Sequence, residues 1–141
     1  MIKITEEVIR NIIAHAQTDA PVEACGYLGA RDDLAIECLH LTNVDDSPEH
    51  FSLDPAEQFA AARSFRKRGL QLRAVYHSHP ASPARPSQED IRLALDPSLS
   101  YVIVSFAESS PVVKSFSIQN GSVTPEPIEI AQSTQETHHV L

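Results

Sequence analysis

The chain has 141 residues, enough for one domain around a single sizeable core. Nineteen acidic residues outnumber eleven lysines and arginines, for a formal charge of −8, which argues against nucleic acid as the main partner. No apolar run approaches a membrane span, and Met1-Ile2-Lys3-Ile4-Thr5 does not read as a signal peptide, so the expected location is the cytoplasm, with no membrane partner.

Residues 5–18 predict an amphipathic helix, because Val8, Ile9, Ile12, Ile13 and Ala16 recur at helical spacing. Asp19-Ala20-Pro21 closes it, and His15 reads as a surface or boundary side chain. Glu23 follows in a loop, where a carboxylate is ordinarily solvated. Residues 26–30 and 34–39 read as strands joined by a tight turn at Arg31-Asp32-Asp33. The next stretch, 42–49, is a polar loop, and neither His40 nor His50 has a partner at ligand spacing. Cys25 and Cys38 are the only cysteines and form no C-x-x-C pair, which argues against a thiolate zinc site. A Cys25 nucleophile paired with a histidine is a rival enzyme reading; a small buried apolar side chain is the more economical one.

Asp54-Pro55-Ala56-Glu57 marks a second helix start. Asp54 caps it, Pro55 suits the first helical position, and Glu57 completes a capping box. This helix is expected to run to about Lys67, packing through Phe59, Ala62 and Phe65, with Gly69 at its end. Its Arg63, Arg66, Lys67 and Arg68 complement the helix C-terminus. Residues 70–75 then read as a buried strand that runs into Tyr76-His77-Ser78-His79-Pro80.

His77 and His79 stand at i and i+2 of that strand, so they point to one side and Ser78 to the other. Pro80 cannot donate to a ladder and ends the strand. After a loop with Pro83 and Pro86 comes Ser87-Gln88-Glu89-Asp90, opening a short helix through Ile91 and Leu95. Two imidazoles and the Asp90 carboxylate make three protein ligands, the usual number at a catalytic zinc. Ser87-x-x-Asp90 also matches a helix capping box, and the two readings compete for the Asp90 side chain. Residues 101–106 and 112–118 read as strands, with Asn120-Gly121 as a hairpin turn and 122–130 returning. The polar residues 132–141, with His138-His139, are expected to be a disordered tail after one domain over 1–131.

The pattern H-x-H, seven residues, S-x-x-D, filled here by His77, His79, Ser87 and Asp90, resembles the metal motif of the JAMM (MPN-plus) metallopeptidases. Pro21-Val22-Glu23-Ala24-Cys25-Gly26 is similar to that family's upstream P-x-E-x-C-G segment, and similarity continues through Asn43, Phe51-Ser52-Leu53-Asp54-Pro55 and Ser100-Tyr101-Val102-Ile103-Val104. The resemblance implies one zinc per chain, held by His77, His79 and Asp90. It makes Glu23 the general base and Ser87 the hydroxyl that supports the oxyanion. The implied substrate is the C-terminal tail of a ubiquitin-like sulfur-carrier protein, cut after its Gly-Gly.

The element order alone supports an α/β or α+β fold with a mixed sheet flanked by helices; the resemblance adds a cytidine-deaminase-like arrangement. The H-x-E…P-C-x-x-C set of the deaminases is absent. A non-catalytic binding module and a hydrolase of short peptides remain as alternatives. Arg85 reads equally as a contact for a substrate carbonyl or carboxylate and as a plain surface arginine.

Overall fold

The computed structural model describes residues 1–132; the rest of the expected tail, 133–141 with His138-His139, lies outside the described residues. Eight strands and three helices follow in the order β1 (Ile2–Thr5), α1 (Glu6–Asp19), β2 (Cys25–Arg31), β3 (Leu34–Leu41), α2 (Pro55–Lys67), β4 (Gln71–His79), α3 (Gln88–Leu93), β5 (Ser100–Ser105), β6 (Val112–Gln119), β7 (Ser122–Glu126) and β8 (Ile128–Ala131). All strands join one sheet in the order β7-β6-β5-β4-β2-β3-β1-β8. Pairings β1–β3, β1–β8 and β4–β5 are parallel and the others antiparallel, so the mixed sheet expected from the element order is present.

Two strands escape the sequence pattern. β1 has four residues, too few for alternation to register, yet Ile2 and Ile4 are fully buried. The expected single return strand over 122–130 is two strands separated by Pro127, which has no N–H to give a ladder. β7 and β8 stand at opposite ends of the sheet order with one residue between them, so the sheet curls until its ends meet there. The Ile2 amide bonds the Pro127 carbonyl at 3.0 Å. Nearby, Arg73 donates to Ser100 Oγ at 2.7 Å, and Ser100 and Ser115 both donate to Glu126 Oε1 at 2.7 Å.

The helices cover both faces. On one, Val8, Ile12 and Ala16 of α1 pack against Ile2, Ile4, Leu28, Ala35, Ala74, Tyr76, Val102 and Val104. Thr5 caps α1, accepting the Val8 amide at 3.2 Å. On the other face, Ala61 and Phe65 of α2 pack against Cys25, Tyr27, Leu41 and Leu70. Ile91 and Ala94, on and just beyond α3, rest on Ile103, Phe116 and Ile118. The turns form as their residues require: Asp32 and Asp33 both take positive φ (52° and 65°), as do Asn120 and Gly121 (51° and 80°), the conformation of a two-residue hairpin turn.

α2 corrects two expectations. Phe59 is 65% exposed and not part of the packing stripe, which is Ala61 and Phe65 at i and i+4. Glu57 does not close a capping box; its carboxylate receives the Thr42 amide at 2.6 Å and hydroxyl at 3.0 Å, tying the exit of β3 to α2.

Candidate metal centre

Strand parity aims β4 two ways. Ala74 and Tyr76 face α1, while Val75 packs on the opposite side, where His77 and His79 also lie. Both imidazoles are buried, each 4% exposed. Their Nε2 atoms stand 3.1 Å apart, and each is 3.1 Å from Asp90 Oδ2 at the start of α3. Ligands at about 2.0–2.1 Å in a tetrahedron lie about 3.3 Å from one another. The triangle therefore fits a small ion, and it is the one three-residue group of this kind among the described residues. His79 Nδ1 is 2.8 Å from the Pro83 carbonyl, a bond that fixes the ring and keeps a proton on Nδ1, so that Nε2 is the nitrogen able to ligate once it is deprotonated.

Asp90 completes the capping box and still faces the two histidines, so the two readings of the sequence are geometrically compatible. Ser87 Oγ accepts the Asp90 amide at 3.0 Å, and Asp90 Oδ2 accepts the Ser87 amide at 2.9 Å, completing the capping box. The same Oδ2 faces the two histidines, because an oxygen with two lone pairs can serve both directions. The cap thus aims the carboxylate. Burial opposes the ionised form of Asp90, but the hydrogen bonds to His77, His79 and Ser87 outweigh it and hold the carboxyl well below its ordinary range. For His79 burial disfavours protonation, and its bonds to Asp90 and Pro83 prevail, raising its pKa.

Glu23 precedes β2 and is 3% exposed. Its Oε1 is buried with no hydrogen-bond partner, which is costly unless a ligand or water satisfies it. Burial raises its pKa to about 8; the charge of His79 opposes this, and those of Asp90, Glu89 and Glu49 add to it. The carboxyl is therefore within electrostatic reach of the histidine–aspartate triangle. Ser78 explains how it comes there. Its Oγ accepts the Ala24 amide at 2.7 Å and its own amide bonds the Ala24 carbonyl at 3.0 Å, so the residue between the two histidines grips the residue after Glu23. The sequence assigned Ser78 only the opposite face.

Beside the triangle runs a groove of about 470 Å3. Val75, Leu72, Tyr101 and Ile103 are among its apolar lining, and Phe51 stacks on His77 with centroids 4.7 Å apart. Leu93 and Leu95, 55% and 84% exposed, also line it. Its charged lining residues are Glu89, Asp90 and Asp96, with no lysine or arginine. Ser87 is exposed at the head of α3, and Arg85 is exposed on the preceding loop. Cys25 is fully buried and its pKa is pushed up to about 12, first of all by burial, so it supplies no thiolate nucleophile.

Among the described residues the other histidines lie at the boundary or surface, His15 half-buried and His40 and His50 exposed, and each has a partner. His15 and His40 stack with centroids 3.9 Å apart, and His15 reaches Tyr76 Oη at 2.6 Å and Asp19 at 3.1 Å. His50 pairs with Asp45 at 2.9 Å. Helical spacing puts His15 beside the apolar stripe and one turn from Asp19; the neighbouring strands supply Tyr76 and His40.

Comparison with known proteins places this geometry. The family model of prokaryotic homologs of the JAB domain matches residues 5–119. The chain is 33% identical over 132 residues to a CysO-cysteine peptidase of Mycobacterium tuberculosis, covering 92% of this chain and 90% of that one. A solution structure of a protein from Desulfitobacterium hafniense matches with a TM-score of 0.88 and 47% identity, covering 99% of both chains. A JAB1/MPN domain protein from Archaeoglobus fulgidus shares the fold, with a TM-score of 0.63 at 21% identity over 92% of this chain and 99% of that one. Among the described residues no helix is long and apolar enough to cross a membrane.

Proposed function

The chain belongs to the family of prokaryotic homologs of the JAB domain, and from that premise we propose that it is a zinc metallopeptidase. Its substrate is the C-terminal tail of a ubiquitin-like sulfur-carrier protein, cut at the peptide or isopeptide bond after Gly-Gly. One observation carries the reading: His77, His79 and Asp90 converge at 3.1 Å beside a buried Glu23 whose Oε1 lacks a partner. The similarity to a CysO-cysteine peptidase, over nearly the full length of both chains, supports the substrate class.

His77, His79 and Asp90 would hold one zinc, a metal suited to two imidazoles and a carboxylate. Zinc supplies a Lewis acid for the scissile carbonyl and a source of hydroxide near neutral pH. The remaining work belongs to the chain. Glu23, buried with an unpartnered Oε1, accepts a proton from the attacking water and passes it to the leaving amine. Ser87 Oγ accepts one hydrogen bond from Asp90, so its own proton is free to donate to the carbonyl oxygen as negative charge develops there. The groove takes the extended tail. Between Leu72 and His77 it follows β4 for about 16 Å, room for about five extended residues. Its apolar floor and acidic wall favour a tail with apolar side chains and no carboxylates.

The test is a carrier whose Gly-Gly terminus is extended by cysteine, incubated with the zinc-loaded chain and followed by mass. Release of cysteine, abolished by a chelator and restored by zinc, is the expected result. An intact carrier under zinc-replete conditions overturns the assignment.

A further inference from the structure

We infer that Asn43 is the positioning residue for Glu23, fixing its backbone to the loop over residues 43–52 so that the carboxyl is held beside the histidine–aspartate triangle. The inference rests on the proposed role of Glu23 as proton carrier. Asn43 lies two residues past β3 and is half-buried. Its Nδ2 donates to the carbonyls of Glu23 and His50, each at 3.1 Å, and more weakly to that of Ser47 at 3.5 Å. Its Oδ1 accepts the amides of Asp45 at 3.0 Å and Ser52 at 3.2 Å. The Glu23 and His50 carbonyls take its two protons, and two amides take its oxygen. A side-chain amide carries two donor hydrogens and a two-lone-pair acceptor on separate atoms, and the network leaves one orientation for it.

Three features make this the site where Glu23 is aimed. Glu23 Oε1 touches no hydrogen-bond partner, so its backbone directs the carboxyl. Both backbone polar groups of Glu23 end on the same loop, the carbonyl on Asn43 and the amide on the Ser47 carbonyl at 2.9 Å. The loop has little apolar packing of its own: Asp45, Asp46, Pro48, Glu49 and His50 are exposed, and Val44 is 52% exposed. The same loop carries Phe51, which stacks on His77. Ser78 holds Ala24 from the β4 side, and Asn43 holds Glu23 from the loop side.

The experiment uses the full chain, wild type and the Asn43→Ala and Asn43→Asp variants. Asn43→Asp keeps an acceptor for Asp45 and Ser52 and loses the donor to Glu23, so it spares more of the loop. Amide hydrogen exchange followed by NMR is expected to show the Glu23 amide exchanging at least about tenfold faster in both variants, with Leu28 and Val102 unchanged. In the zinc-loaded chain kcat is expected to fall about tenfold or more while KM and zinc content stay near wild type. A readout that needs no variant is the scalar coupling across the hydrogen bond from the wild-type Asn43 side-chain amide to the Glu23 carbonyl, which is expected to be observed. The inference is overturned if Glu23 protection stays within twofold of wild type, if Leu28 and Val102 lose protection in parallel, or if the coupling is absent. Failure of the wild-type chain to cleave any carrier would overturn the proposed function instead, and the exchange and coupling results would still decide whether Asn43 holds Glu23.

Discussion

Among the described residues two close pairs of histidines stand one on each side of β4, and they do opposite things. His77 and His79 meet at 60° with ring centroids 4.9 Å apart, and their Nε2 atoms and one oxygen of Asp90 form a triangle. His15 and His40 are closer, at 3.9 Å and 12°, but they stack face to face. His15 directs one nitrogen to Tyr76 and the other to Asp19. Proximity of imidazoles therefore does not make a metal site; convergence of their lone pairs does. Strand parity aims the first pair, while helix-against-strand packing turns the second into a structural cluster over buried Tyr76.

That contrast can be broken at either pair. The largest effect is expected from Asp90→Ala, which removes the proposed carboxylate ligand and leaves two imidazoles facing each other. Zinc bound per chain, measured on purified protein, should fall from about one to near none, and carrier cleavage should vanish. Retention of stoichiometric zinc would remove Asp90 from the ligand set. Next comes Glu23→Gln, which keeps zinc and should lower kcat by about 10²- to 10⁴-fold. Turnover near wild type would end the proton-carrier role.

The second pair sets the other limb of the comparison. His15→Phe keeps a ring of similar size and loses the bonds to Tyr76 and Asp19. Zinc content and KM should not change, while stability to urea should drop by about 1–3 kcal/mol, because the Tyr76 hydroxyl is left buried without its partner. A loss of zinc in this variant would show that the two faces of β4 are coupled.

The smallest effect is a pH dependence in the zinc-free chain. The Glu23 pKa rises from 4.5 unfolded to about 8 folded, so between those values the folded state binds more protons and stability falls as pH rises. Glu23→Gln should therefore stabilise the zinc-free chain near pH 8, with no difference well below pH 4.5. Equal denaturation midpoints at both pH values would contradict the buried, unpartnered carboxyl.

Much of the site was legible in the residues because its spacings are local. H-x-H at the end of an apolar run sets two imidazoles on one side of a strand, and S-x-x-D sets a cap at the next helix. The competition over Asp90 was misjudged because one oxygen can accept from the cap and face the histidines together. Phe59 was placed in the core because a helix period alone does not say which face meets the sheet. β1 stays hidden because four residues carry too little alternation to signal a strand, and the return over 122–130 divides at Pro127.

What the chain determined by itself is the set of groups and their local aim: two histidines at a strand end, a capped aspartate, a mixed α and β order. Only the tertiary structure decided which distant residues join them. The register that pairs Cys25 with His77 across β2 and β4 carries Glu23 to a triangle 54 residues further along the chain. The Asn43 amide fastens Glu23 there, and the curl of the sheet brings β7 and β8 together around Pro127. Local aim follows from backbone periods of two and 3.6 residues, which a sequence displays. Register and closure follow from burying several strands at once, and no single stretch of residues contains that information.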